Sequence, residues 1–227
     1  MCELARQYDV DTMTSQTPAD LAFEQQALEN YLREPALGET RLPQLQAALG
    51  DARNTAEHGD ALWLATLGYL IVIEMLGGTV ARPSTPFTSR SKSTESFVAG
   101  CQEFAARAVT PKDARALYGL RCALAHEYGL LSASASVRHA FELNRAGALV
   151  VHPLKDWEQV TDPADPSKKT WPNPTKQNVT KINVIAVWDF VEELVQNVRN
   201  EFAAGNVRIA PGNDAMQLIN FGQYLIY

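Results

Sequence analysis

Apolar residues recur at helical spacing through most of the chain. Pro18 to Glu34 carries Leu21, Phe23, Leu28, Tyr31 and Leu32 and predicts a first helix, stopped by Pro35 and Gly38. Arg41 to Ala48 reads as a short second helix ending at Gly50, and residues 51–60 as a polar connector or frayed helix start. The most apolar run, Ala61 to Leu76, is 16 residues long and contains Glu74. A bilayer span needs about 20 apolar residues, so the run predicts a buried core helix closed by Gly77-Gly78. Residues 79–94 lack periodicity and read as a long loop, followed by a helix over Glu95–Ala108. The clearest helix start is Thr110-Pro111, with Thr110 as N-cap, Pro111 at the first helical position and Asp113 where the helix dipole favours an acid. That helix should run to about Tyr128, with Gly129 beyond it as C-cap.

The period then changes. Val137–Leu143 and Ala148–Val151, separated by Asn144–Gly147, predict a small β-hairpin. Residues 161–178 hold four prolines and read as a loop. Val179 to Ala204 reads as a long amphipathic helix. The expected architecture is mainly α, a helical bundle with a hairpin (about 137–152) inserted before the last long helix. Residues 1–57 would form an N-terminal arm and short helices packed on a main domain at 58–204. Residues 205–227 would form a tail with an apolar end (Leu218, Ile219, Phe221, Tyr224, Leu225, Ile226, Tyr227), packed on its own domain or on a partner subunit rather than dangling.

Composition narrows the class. Of the 227 residues, 46% are hydrophobic and 20% charged, as in an ordinary globular chain. Three widely spaced cysteines make no disulfide framework and no zinc knuckle, and the start Met1-Cys2-Glu3-Leu4 lacks a secretory pattern. A reducing, cytoplasmic setting without membrane insertion is expected. Residues 1–60 hold 11 acids and 4 bases, residues 61–227 hold 15 acids and 16 bases, and the net charge is −6. A protein that coats nucleic acid electrostatically is basic, so any nucleic-acid function must be local. Phosphate-cradling glycine loops, HExxH, metal-ligand spacing of His and Cys, and the GxSxG elbow are all missing, so no metal and no cofactor is expected.

One segment carries chemistry. On a helical wheel of Tyr118-Gly-Leu-Arg-Cys-Ala-Leu-Ala-His-Glu-Tyr-Gly129, Leu117, Leu120, Leu124 and Leu131 form a core seam. Tyr118, Cys122, Ala125 and Gly129 form a second, mostly small stripe. Arg121 and His126 flank that stripe, each about 70° from its centre. A guanidinium offers a charged fork of donors to a phosphate, and an imidazole moves a proton near neutral pH. Two other Arg/His pairs have similar spacing, Arg53/His58 and Arg145/His152. Only Arg121/His126 falls on a capped amphipathic helix.

An Arg followed four to six residues later by His near a helix end, in the context YGLRCALAHEYGL and ahead of a hairpin and a long final helix, resembles the HEPN (higher eukaryotes and prokaryotes nucleotide-binding) family. The resemblance covers residues 58–203. It implies a helical bundle that dimerises, so that Arg and His of two protomers line one cleft. It also implies RNA binding, with many members acting as metal-independent endoribonucleases in toxin–antitoxin, phage-defence or RNA-processing systems, and with an antitoxin-like protein as a further partner. By position, Arg121 would hold the scissile phosphate and His126 would transfer a proton with the ribose 2′-hydroxyl or the leaving oxygen. Tyr118, Cys122, Glu127 and Glu74 are candidate supporting residues. Cys122 departs from the polar residue that often follows the motif Arg in active members.

Alternatives stand beside this reading. Arg121 could pair with Glu74 or Glu127 on the surface, and His126 could satisfy the last helix carbonyls. Glu74 could be an exposed residue near its helix end, or a buried acid needing Arg121 as partner. Lys168 and Lys169 beside Trp171 could offer charge and a stacking face to RNA, or form a solvated loop. The protein could therefore be a non-catalytic helical interaction module, or more remotely a nucleotide-binding bundle.

Overall fold

The computed structural model describes residues 17–36, 39, 41–58, 62–85, 93–126, 129–133, 138–210, 215, 218 and 223–225. Six helices dominate: α1 (Pro18–Leu32), α2 (Gln44–His58), α3 (Leu62–Thr79), α4 (Ser93–Glu103), α5 (Pro111–His126) and α6 (Val184–Ala203). Among the described residues the fold is mainly α.

The helix starts follow capping chemistry. At α1, the Asp20 backbone N–H donates to Thr17 Oγ1 at 3.2 Å and the Thr17 N–H donates to Asp20 Oδ2 at 2.9 Å, a closed capping box. The same box forms at α5, where Asp113 N–H donates to Thr110 Oγ1 at 3.1 Å and Thr110 N–H to Asp113 Oδ2 at 3.2 Å. Gly129 N–H closes the far end of α5 on the Ala123 carbonyl at 3.3 Å.

α3 lies among α2, α4, α5 and α6. It is long and apolar enough to cross a membrane by length and composition, yet Ala65, Thr66, Tyr69, Leu70, Val72, Ile73, Leu76 and Gly77 are buried against these neighbours. Gly77 and Gly78 were expected to close this helix; instead it runs through them to Thr79. The reason is packing. A Cβ at Gly77 would stand 1.8 Å from the Ser96 carbonyl oxygen and 2.5 Å from Gly100 N, and one at Gly100 would stand 2.3 Å from the Ile73 carbonyl oxygen. The α3 and α4 backbones therefore touch, and these glycines serve the crossing rather than a helix end.

α2 also departs from expectation. A single helix of 15 residues continues through Gly50 where a short helix and a connector were predicted. A glycine inside a helix costs about 1 kcal/mol relative to alanine. Leu45, Leu49 and Ala52, spaced at one face, bury fully enough to outweigh that. α1 ends two residues before the predicted limit, and α4 ends at Glu103 rather than Ala108. Side chains of α1 and α2 (Leu28, Tyr31, Leu45, Leu49) share one hydrophobic core with those of α3 to α6.

The remaining strands are β1 (Arg41–Pro43), β2 (Val80–Ala81), β3 (Leu131–Ala133), β4 (Arg138–Asn144), β5 (Val150–Val151), β6 (Val160–Thr161), β7 (Lys169–Thr170), β8 (Val179–Asn183), β9 (Arg208–Ile209) and β10 (Gln223–Leu225). The hairpin predicted between 137–143 and 148–151 is not formed. β8 separates those two strands in a four-stranded sheet ordered β3-β4-β8-β5. β4 pairs in parallel with β8 (Ala140↔Val179 to Asn144↔Asn183), and β5 pairs antiparallel with it (Val150↔Ile182). β8 was read as the first turns of the last helix. Val179, Thr180 and Ile182 are β-branched, with the alternating burial of a strand. Asn183 then starts the helix, its Oδ1 accepting the Ala186 N–H at 3.2 Å while its Nδ2 donates to the Gly147 carbonyl at 2.7 Å. Leu131, placed with the α5 seam by the wheel, lies on β3 and is exposed. The predicted loop 161–178 contains the β6–β7 hairpin. The tail returns to its own chain: β9 pairs with β2 and β10 with β1.

Gly77→Ala and Gly100→Ala each place a methyl against backbone that has no side chain to move aside. Each should destabilise the fold by about 3 kcal/mol or more, read as a lower urea midpoint. Gly50→Ala, which meets open space, should stabilise by about 0.5–1 kcal/mol; equal midpoints for all three variants would refute the tight crossing.

Candidate functional site

The candidate site is built at the junction of α3, α4 and α5. The Leu117, Leu120 and Leu124 face of α5 is buried in the core. That fixes the helix rotation and leaves Tyr118, Arg121, Cys122 and Ala125 partly exposed and His126 exposed. Arg121 Nη1 stands 3.2 Å from His126 Nε2. Arg121 Nε stands 2.8 Å from Glu74 Oε2 of α3, with both side chains about 20% exposed. The N–H is not aligned along that oxygen, so this is an ion pair rather than a directed hydrogen bond.

Tyr118 lies one turn before Arg121, its ring edge-on to Phe97 at 5.6 Å. Burial raises the Tyr118 hydroxyl above its ordinary pKa; Cys122 and Glu74 add to that, and a hydrogen bond with Thr94 of α4 opposes it. The structure thus brings Glu74, Tyr118, Arg121, Cys122 and His126 together. Glu127 lies outside the described residues.

Lys168, Lys169 and Trp171 sit on or beside the β6–β7 hairpin. Lys168 is exposed and pairs with Asp165 at 3.0 Å. Trp171 packs edge-to-face on Trp157 at 5.9 Å, and Trp157 Nε1 donates to the Pro172 carbonyl at 2.9 Å. The Trp171 ring is therefore already engaged by another aromatic side chain.

The two competing Arg/His pairs do not converge. Arg53 forks onto Glu192 of α6 (Nε at 2.7 Å, Nη2 at 2.5 Å), while His58 Nδ1 meets the Asn54 carbonyl of its own helix at 3.1 Å. Arg145 lies exposed in the bend after β4, and His152 Nε2 stands 2.7 Å from Asp113 Oδ1.

This last contact is a feature the sequence reading missed. It ties β5 to the start of α5, opposite the end that carries His126. His139 of β4 stacks on Phe141 (5.7 Å between ring centroids), and both rings lie against Gly119, where a Cβ would come within 3.2 Å of Phe141 Cζ. Burial, with the neighbouring His152, holds the His139 imidazole below its ordinary pKa. Burial pushes Asp113 up, but hydrogen bonds from Thr110 and His152 outweigh it and the net shift is downward. Asp113 was recognisable in sequence only as a first-turn acid; its partner lies 39 residues away.

Among the described residues, no group of three or more His, Cys, Asp or Glu is placed to hold a metal ion. An open cleft of about 340 Å³ is lined by Arg82, Phe104, Asn197 and Glu201, and it includes none of the residues of the Arg121 cluster. Its arginine is engaged, donating to Glu201 at 2.9 Å and lying over the Phe104 ring. Comparisons of the chain with known protein families, with characterised proteins and with solved structures found no match.

The titration shifts set a sign. His139 is held below the 6.5 of a free imidazole, so the unfolded chain takes up its proton first. Its contribution is complete above about pH 6.5 and is lost as pH falls through that value. Asp113, held below 3.8, adds a second loss at lower pH. Urea midpoints should drop between about pH 7.5 and pH 5, and His139→Gln should flatten that drop. An unchanged slope in the variant would contradict the assignment.

Proposed function

We propose that the chain is a HEPN-like RNA-binding protein and a metal-independent endoribonuclease of toxin or phage-defence type, with Arg121 and His126 as catalytic residues. The observation that carries the reading is the 3.2 Å approach of Arg121 Nη1 to His126 Nε2. A guanidinium has only donors, so this contact needs an Nε2 that accepts and therefore a proton on Nδ1. A lone pair beside a fixed positive fork suits phosphodiester cleavage. Arg121 binds the non-bridging oxygens and offsets the charge that builds at phosphorus. His126 Nε2 takes the proton of the ribose 2′-hydroxyl. The 2′ oxygen then bonds to phosphorus as the bond to the 5′ oxygen breaks, and the leaving oxygen takes up the proton held by the His126 imidazolium, directly or through water, giving a 2′,3′-cyclic phosphate and a 5′-hydroxyl and restoring neutral His126. No step requires a metal.

The resemblance adds a homodimer whose two sites share a cleft and an antitoxin-like protein partner, and the cysteine usage favours a reducing, cytoplasmic setting. The net charge of −6 favours a small RNA footprint over an extended one. The alternative is a non-catalytic interaction module of the same fold. It is favoured by the Glu74 ion pair, which already satisfies part of the Arg121 charge, and by Cys122 in the position after the motif Arg.

The purified protein should cleave a labelled mixed RNA pool in the presence of EDTA. His126→Ala should lose about 100-fold or more of that activity, the usual worth of a positioned proton-transfer group, and Arg121→Ala should lose at least as much, with helical content unchanged by circular dichroism. Full cleavage by both variants would overturn the assignment of Arg121 and His126 as the site; no cleavage by the parent would favour the interaction module.

A further inference from the structure

α3 is the most apolar helix of the fold, and Glu74 is its one charged residue. Ile73 and Leu76 beside it are fully buried, while the Glu74 side chain keeps about 20% exposure. A carboxylate in such a place needs a partner, and Arg121 supplies it. The mode of pairing is informative. Arg53 gives Glu192 both Nε and Nη2, and Arg33 gives Glu39 both terminal nitrogens, so those forks are consumed by their acids. Glu74 meets Arg121 at the Nε edge, and Nη1 turns to His126 instead. The order is carboxylate, guanidinium, imidazole, running from the core outward. Among the described residues, Tyr118 and Cys122 on α5 and Thr94 on α4 lie close by, and Tyr118 interacts with Glu74.

We propose that Glu74 is a positioning residue for the site. It rests on the reading of Arg121 and His126 given above and assigns what holds them. Glu74 anchors Arg121 by one edge so that its outer nitrogens are presented beside His126 Nε2. The same hold keeps His126 in the tautomer protonated at Nδ1. In the free protein Nη1 caps the Nε2 lone pair. A phosphate oxygen that takes Nη1 uncaps it, so the base becomes available only when the anion is seated.

The experiment is ¹⁵N nuclear magnetic resonance of the His126 ring in the full-length protein, which distinguishes the two neutral tautomers without reference to activity. The parent should show the proton on Nδ1. Glu74→Gln, which keeps the shape and removes the charge, should shift His126 toward the Nε2-protonated tautomer, and Glu74→Asp should hold the parental signature at least in part. If Glu74→Gln does not fold, Arg121→Gln reads the same link from its other side and should release the tautomer equally. A parental tautomer retained in the folded Glu74→Gln or Arg121→Gln variant would overturn the proposal. In cleavage assays with EDTA, Glu74→Gln should lower kcat at least tenfold, with Glu74→Asp restoring part of the loss. A tautomer shift in Glu74→Gln together with a parent that cuts no RNA supports the positioning role and removes the nuclease reading, so the two failures are separable.

Discussion

The burial of α3 is the constraint on which the rest of the structure depends. Four helices pack around it, and where α4 crosses it the two backbones meet through Gly77 and Gly100 with no room for a side chain. Interiors packed to this density move little. α3 also packs directly on α5, which brings Glu74 within 2.8 Å of the Nε edge of Arg121. A charge contact at 2.8 Å whose partners are only partly exposed is less weakened by water and salt than a surface pair. The geometry at the end of α5 is thus set from inside the fold.

α5 is held at both ends by different chemistry. Its start is closed by the Thr110 and Asp113 box and tied to β5 through His152. Its far end carries Arg121 and His126. Between them Gly119 admits the rings of His139 and Phe141, which seats β4 against the middle of the helix. The sheet covers one part of α5 and leaves Arg121 partly exposed and His126 exposed at another, which is where the proposed site lies.

How far the sequence could be read follows from the range of the interactions involved. The N-cap of α5, its core seam and the proximity of Arg121 to His126 are local, and residues five apart on one helix carry the needed information. Glu74 was visible as an anomaly in an apolar run, with Arg121 as one option for its partner, because a buried acid demands a counter-charge. What was lost is what depends on distant pairing. β8 could not be told from helix because Ile182 and Ile185 keep a helical spacing across the true boundary at Asn183. β5 was assigned to its neighbour in sequence when its partner was β8. Asp113 and His152 gave no signal because neither has meaning until the sheet forms. Gly77 and Gly100 were ambiguous by nature, since a glycine that ends a helix and one that admits a neighbouring backbone look alike in one sequence.

The central claim is that Arg121 and His126 act as one unit on a phosphodiester. A double-mutant cycle on metal-free RNA cleavage tests it most directly, because groups that work in a single step lose their effects together rather than independently. The account predicts that Arg121→Ala/His126→Ala is no slower than the slower of the two single variants. Losses that multiply in the double variant would show two residues acting in separate places, and would contradict it.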